Sequence, residues 1–265
     1  VTVHYDRDGS VVRVTIDRRE VANAIDRPTA AALADHFRAF EADERLAVAV
    51  LTGAGGTFCA GADLKAMQTD PRRTSRVAAD GDGPVGPTRM VLAKPVIAAV
   101  EGHAVAGGLE LAAWCDLRVA ASDAVFGVYC RRWGIPLMDG GTIRLARLLG
   151  HSHALDLILT GRGVSGEEAR RMGLVNRLVP PGEAVAAATA LARQIAAFPQ
   201  AAVRSDRLSS YQQWSLPLAD ALLAEFHHGM AALQTGEMLD GLDRYGTGQW
   251  RAERSGQPAT RREGT

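Results

Sequence analysis

From Lys94 to Cys115 the chain reads KPVIAAVEGHAVAGGLELAAWC, and this stretch restricts the possible folds severely. Val96 to Val100 are apolar at consecutive positions, so a strand there buries both faces and needs cover on both. Glu101, His103 and Glu110, with Gly102, Gly107 and Gly108, interrupt the apolar run up to Trp114. That marks it as buried core rather than a membrane span. Two glycines then open a second, helical apolar stretch, GGLELAAWC.

The rest of the chain repeats this alternation. LAVAVLTG is another continuous apolar strand, and DLRVAAS, AVFGV and VNRLVP are shorter ones. VTVHY and VVRVTIDR flank DRDGS as a hairpin. TAAALADHFRAFEAD has the spacing of an amphipathic helix, and GGTIRLARLLG, ALDLILTG and SGEEARRMGL are short helices. Strand alternating with helix predicts an α/β fold with mostly parallel strands, over residues 1–195. From GEAVAAATALARQIAAFP to about Gly241 the pattern is helical, so residues 196–265 form a C-terminal helical appendage. Its charged tail, RAERSGQPATRREGT, is expected to be poorly ordered. DPRRTSRVAADGDGPVGPT, rich in Gly, Pro and Asp, is expected to be a mobile surface loop or a frayed helix.

Composition limits the function. With 265 residues, 47% of them hydrophobic, the chain can bury a large core. Thirty basic and 30 acidic residues cancel, so no global field draws it to nucleic acid or an anionic membrane. Any anionic ligand is met by local donors. Cys59, Cys115 and Cys130 form no CxxC pair, which argues against a disulfide framework and for the reducing cytoplasm. The charged N-terminus lacks an apolar core, so no signal peptide is expected. His151, His153, His227 and His228 lack carboxylates at ligand spacing, so no metal site is expected. GHAVAGG does not fit the dinucleotide fingerprint, and GAGGTFCAG lacks the Lys-Ser/Thr of a phosphate loop.

Two loops could carry chemistry. In CAGADL, Gly61 precedes a helix that begins near Asp63, whose first N–H groups have no intrahelical partner. In AVAGGLELA, Gly107 and Gly108 open a helix with Glu110 in its first turn. Leu109, Leu111, Ala112 and Ala113 make that helix apolar, so Glu110 is shielded from water and needs a partner or a task. Each loop alone also suits an ordinary strand-to-helix turn. Together they could aim two N–H groups at one oxygen, with Glu110 beside it to move a proton. Three weaker candidates remain. His103 is a possible base or a satisfied core histidine, and Arg72, Arg73 and Arg76 are possible phosphate contacts or a solvated basic loop. Cys130 precedes Arg131 and Arg132, and paired arginines can activate a thiol.

GGTFCAGADLKAM, KPVIAAVEGHAVAGGLELAAWCDLRVAA, AVFGV, GGTIRLARLLG and ALDLILTGRGVSGEEARRMGLVNRLVP occur in one order and spacing. In this the chain resembles the enoyl-CoA hydratase/isomerase, or crotonase, family, strongly from Val11 to Pro181 and loosely beyond. The resemblance implies a spiral of ββα turns followed by helices that build trimers, often dimers of trimers. The substrate would be an acyl-CoA thioester, with coenzyme A as part of the substrate and no cofactor bound permanently. The peptide N–H groups of Ala62 and Gly107 would form the oxyanion hole. Val21, Ala22 and Ala24, with Ala60, Gly61, Asp63 and Leu64, would line the coenzyme A channel, although Glu20 departs from the usual basic or neutral residue. Glu110 matches the first of the two glutamates that family hydratases use. The second falls where this chain has Cys130, in FGVYC. Asp139, in PLMDGGT, is then the candidate second acid, as dienoyl-CoA isomerases of the family have an acidic residue shortly before that GT; by itself Asp139 also suits a turn before two glycines. Hydratase is the first expectation and enoyl- or dienoyl-CoA isomerase the second. A non-catalytic coenzyme A-binding scaffold and a cysteine thioesterase stand behind them. The segment from Gln68 to Thr88 is expected to help select the acyl group.

Overall fold

The computed structural model describes residues 2–246. The tail RAERSGQPATRREGT lies outside the described residues. The chain divides into two compact units, residues 1–196 and Ala197 onward.

The first unit opens with the hairpin β1 (Val3–Asp8) and β2 (Val11–Ile16), then α1 (Arg27–Ala42), β3 (Val48–Gly53) and the short α2 (Leu64–Thr69). Next come β4 (Val96–Val100), β5 (His103–Val105), α3 (Gly107–Trp114), β6 (Leu117–Ala121) and β7 (Val125–Gly127). Then follow α4 (Gly141–Leu149), α5 (His151–Thr160), β8 (Gly163–Ser165), α6 (Gly166–Met172), β9 (Arg177–Val179) and α7 (Ala184–Ala196).

A six-stranded sheet has the order β1-β2-β3-β4-β6-β9, and every pairing after the hairpin is parallel. The apolar runs explain its centre. Val48 and Val50 of β3 face one side with Ile97 and Ala99 of β4, under Ala188, Leu191 and Ala192 of α7. Ala49 and Leu51 face the other side with Ala98 and Val100, into the main core with Phe37 and Trp114. Successive strand residues point to opposite faces, so a continuous run fills two layers.

A second sheet of three strands, β5-β7-β8, stands apart from the first. β5 and β8 are not expected from the sequence, because each joins a helix directly or after one residue and lies inside a stretch read as turn or helix. β5 carries the chain directly into α3. The other end of α3 is fixed by Arg118, which is 1% exposed. Its guanidinium donates to the carbonyls of Ala112, Cys115 and Leu174, so a buried cation closes the helix C-terminus.

The second unit contains α8 (Gln200–Gln212), α9 (Leu218–Leu233) and α10 (Glu237–Gly246). No residue of α9 is buried. Leu218, Leu222, Leu223, Phe226 and Leu233 all stand exposed along it.

Candidate active site

The entry to α3 is strained. Ala106 has φ 52° and ψ −125°, outside the regions open to residues with a side chain. Such a residue costs on the order of 1–3 kcal/mol and persists where its surroundings hold it. Here its N–H is held by the Gly127 carbonyl of β7 at 2.8 Å. The turn leaves the N–H of Gly107, the first helical residue, outside the helix ladder.

The other loop arrives from α1's side. Ala62 pairs with Ile25 in a parallel bridge through the neighbouring groups: Ile25 N–H donates to the Gly61 carbonyl, and Asp63 N–H donates to the Ile25 carbonyl. That pattern leaves the N–H of Ala62 itself outside the ladder. Cys59 pairs with Ala104 of β5, which stitches the two loops side by side. They meet so closely that a Cβ on Gly61 would stand 2.8 Å from the Gly107 nitrogen, and one on Gly107 would stand 3.7 Å from the Ala62 nitrogen. Among the described residues, neither N–H has a hydrogen-bond acceptor. Glycine at 61 and 107 is what lets the two peptides approach.

Glu110 lies one helical turn on and is 3% exposed. Its Oε1 accepts the N–H of Asp139 at 2.9 Å and of Gly141 at 2.8 Å. Burial, reinforced by the charge of Asp139, pushes its carboxyl up to about 7, against the opposing pull of those N–H groups. Asp139 is also 3% exposed. Its Oδ1 accepts the N–H of Val85 at 3.1 Å and the hydroxyl of Thr88. Burial raises this carboxyl as well, opposed by Thr88 and Val85. A carboxylate oxygen offers two lone-pair directions, so each acid has one oxygen filled by two donors. Asp139 is left to titrate on the other.

These groups line one cavity of about 280 Å³. Ala62, Gly107, Glu110, Asp139 and Cys130 border it, with an apolar wall that includes Met67, Val77, Trp133 and Ile135. Of the proposed channel residues, Ala60 and Leu64 border it too. Gly61 lies beneath, against Gly107. Val21, Ala22 and Ala24 form a turn tied on through the Ala22 carbonyl, which accepts the N–H of Ala60. Asp63 is turned inward: its Oδ1 caps α2 at the Ala66 N–H, and its Oδ2 pairs with buried Arg18 at 2.8 Å.

Several sequence expectations change here. Cys130 sits in a short 3₁₀ turn, Tyr129–Trp133. Burial and the charge of Glu110 raise its thiol, outweighing Arg131. Arg131 donates instead to the Ile158 carbonyl, and Arg132 lies over the Tyr129 ring. The adjacent arginines therefore do not activate the thiol, and Cys130 borders the cavity as a neutral group. His103 is exposed and does not border the cavity. Arg72, Arg73 and Arg76 are paired with Asp70, Asp26 and Asp80. The polar stretch before β4 is not simply a surface loop: its end, Gly83 to Thr88, is buried throughout and supplies two donors to Asp139. The close-packed GPVGPT was the available sign. Among the described residues, no cluster of three or more His, Cys, Asp or Glu could hold a metal, and no helix is long and apolar enough to cross a membrane.

Two sheets delivering a strained helix start beside a second free N–H, over a buried glutamate, define a crotonase-fold protein. The chain superposes on the crystal structure of enoyl-CoA hydratase EchA1 from Mycobacterium marinum with a TM-score of 0.87 and 35% identity, covering 92% of this chain and 95% of that one. The sequence profile of the enoyl-CoA hydratase/isomerase family matches residues 6–247. Enoyl-CoA hydratase EchA19 of Mycobacterium tuberculosis is 35% identical over 243 residues, 89% of this chain and 90% of the relative. Carnitinyl-CoA dehydratase of Salmonella typhi is 40% identical over 205 residues, 73% of this chain and 74% of the relative. The chain belongs to the enoyl-CoA hydratase/isomerase family, whose enzymes act on acyl-CoA thioesters.

Proposed function

We propose that the protein is an enoyl-CoA hydratase, with Ala62 and Gly107 as its oxyanion hole and Glu110 and Asp139 as its proton carriers. The thioester carbonyl accepts both free N–H groups, which stabilise the enolate as negative charge reaches the oxygen. One carboxylate takes a proton from water as the oxygen bonds to the β-carbon. The other acid, protonated, gives its proton to the α-carbon, so one water adds across the double bond. Coenzyme A enters as part of the substrate, and Val21, Ala22, Ala24, Ala60, Gly61, Asp63 and Leu64 form the side along which it lies, Asp63 by shaping α2. The observation that carries the reading is the pair of buried acids, each with one oxygen filled, bordering the cavity that holds both free N–H groups.

A second reading, double-bond isomerase, is favoured by Cys130, because a neutral thiol stands where the resemblance calls for a carboxylate. Incubation with a (2E)-enoyl-CoA separates the two. Hydration removes the conjugated thioester absorbance and adds the mass of water. Isomerisation moves the double bond at constant mass. Binding of acyl-CoA without either change would overturn the enzyme reading in favour of a scaffold.

The helical region beyond residue 195 is assigned to self-association, in a trimer or a dimer of trimers. The exposed apolar row of α9 supports this, since such a row is stabilised by burial against another surface. A monomer by light scattering would contradict it. The three free, buried cysteines suit a reducing cytoplasm.

A further inference from the structure

Asp139 is held from a distance. Both donors to its Oδ1, the Val85 N–H and the Thr88 hydroxyl, come from a segment more than fifty residues earlier in the chain. That segment is closed on itself: Gly83 and Gly86 exchange N–H···O bonds of 2.9 Å each. It lies so close to the acid that a Cβ on Gly83 would collide with both Thr88 Oγ1 and Asp139 Oδ1. Arg144 of α4 locks the pair from behind, donating to the Asp139 carbonyl at 2.7 Å and to the Thr88 carbonyl at 2.6 Å. Thr88 is 1% exposed, so water does not compete for its hydroxyl. Oδ2 of Asp139 takes no hydrogen bond from the described residues.

We propose that Thr88 is a positioning residue for proton transfer at Asp139, fixing the rotation of the carboxyl and confining its proton to Oδ2. The proposal rests on the reading of Asp139 as a proton carrier and extends it. With Oδ1 filled by two donors, protonation there would break one of them. Oδ2 is the oxygen left for water or the acyl chain. Val85 contributes a backbone group, which substitution leaves in place, so Thr88 is the donor that can be removed. Arg89 and Arg144 of α4 lower the Asp139 carboxyl, and its charge in turn raises Glu110 of α3 and the Cys59 thiol beside β5. All four remain when Thr88 is changed.

The test compares wild type with Thr88→Val, Thr88→Ser and Asp139→Asn, all as the full chain. The carboxyl carbon of Asp139 is titrated by NMR in aspartate-labelled protein, with Asp139→Asn to assign the signal. The Thr88 hydroxyl favours the charged form, so Thr88→Val should raise the midpoint by about one pH unit, and Thr88→Ser should restore it. Hydration of (2E)-octenoyl-CoA should show kcat down about tenfold in Thr88→Val, with KM within about twofold and recovery in Thr88→Ser. An unmoved midpoint in Thr88→Val overturns the proposal. So does a fall in activity that Thr88→Ser fails to recover, since that marks a merely structural role. If Asp139→Asn retains full turnover, the reading of Asp139 fails and the proposal with it. If Asp139→Asn is inactive while Thr88→Val behaves as wild type in both measurements, the proposal alone fails.

Discussion

Glu110 and Asp139 touch through a single hydrogen bond, from the Asp139 N–H to Glu110 Oε1, yet they are held by unlike parts of the molecule. Glu110 sits on α3, and its Oε1 donors are the backbone N–H groups of Asp139, on the loop that leads into α4, and of Gly141, the first residue of α4. No side chain holds its Oε1 among the described residues. Asp139 sits on that loop, and one of its two donors is a side chain from a segment buried elsewhere in the core. Glu110 Oε1 is therefore held by backbone groups alone, and Asp139 Oδ1 by one backbone group and one side chain.

The largest expected effect is at Glu110. Replacing it by Gln keeps an oxygen for the two N–H donors and removes the titrating proton. Turnover of a (2E)-enoyl-CoA should fall by about 10²–10⁴-fold, with folding intact by circular dichroism. Unchanged turnover would remove Glu110 from the mechanism.

Gly61→Ala should come next. Its φ of +92° disfavours any side chain, and the new Cβ would press on the Gly107 nitrogen at 2.8 Å. Loss of one oxyanion donor costs about 10²–10³-fold in kcat, and a comparable fall is expected here. A shift in KM alone would place the glycine in binding rather than in catalysis.

A smaller effect is expected on stability at Glu110. Glu110 is raised from 4.5 to about 7 in the folded chain, so the native state binds its proton more tightly than the unfolded state does. The stability linked to that proton is present below pH 4.5, is lost as the pH rises through about 7, and stays lost above it. Glu110→Gln escapes this loss. Its melting temperature should exceed that of wild type by about 5 °C at pH 8. The gap should close below pH 4.5, as calorimetry at the two pH values would show. A constant gap would mean that burial of this charge does not govern the difference.

The same contrast explains what could be read from the sequence. The strands β3 and β4 announce themselves as apolar runs, and Glu110 stands out because its neighbours in α3 are apolar. Those signals are local. Asp139's environment is built by Val85 and Thr88, buried residues inside a stretch whose Gly, Pro and Asp content reads as surface. Arg18 and Arg118 are likewise hidden: charged residues read as exposed until the carboxylates and carbonyls that satisfy them are brought together by folding. The positive φ of Ala106 has no local mark at all, since alanine does not prefer it. Periodicity finds the layers, while long-range hydrogen bonds set the second acid.

We propose that Asp139, and not Cys130, moves the second proton. It is tested most directly by the rate of (2E)-octenoyl-CoA hydration in Asp139→Asn and Cys130→Ser, measured side by side with wild type. The rate should fall by about 10²-fold or more in Asp139→Asn and stay within about threefold of wild type in Cys130→Ser. An active Asp139→Asn beside an inactive, folded Cys130→Ser would contradict it.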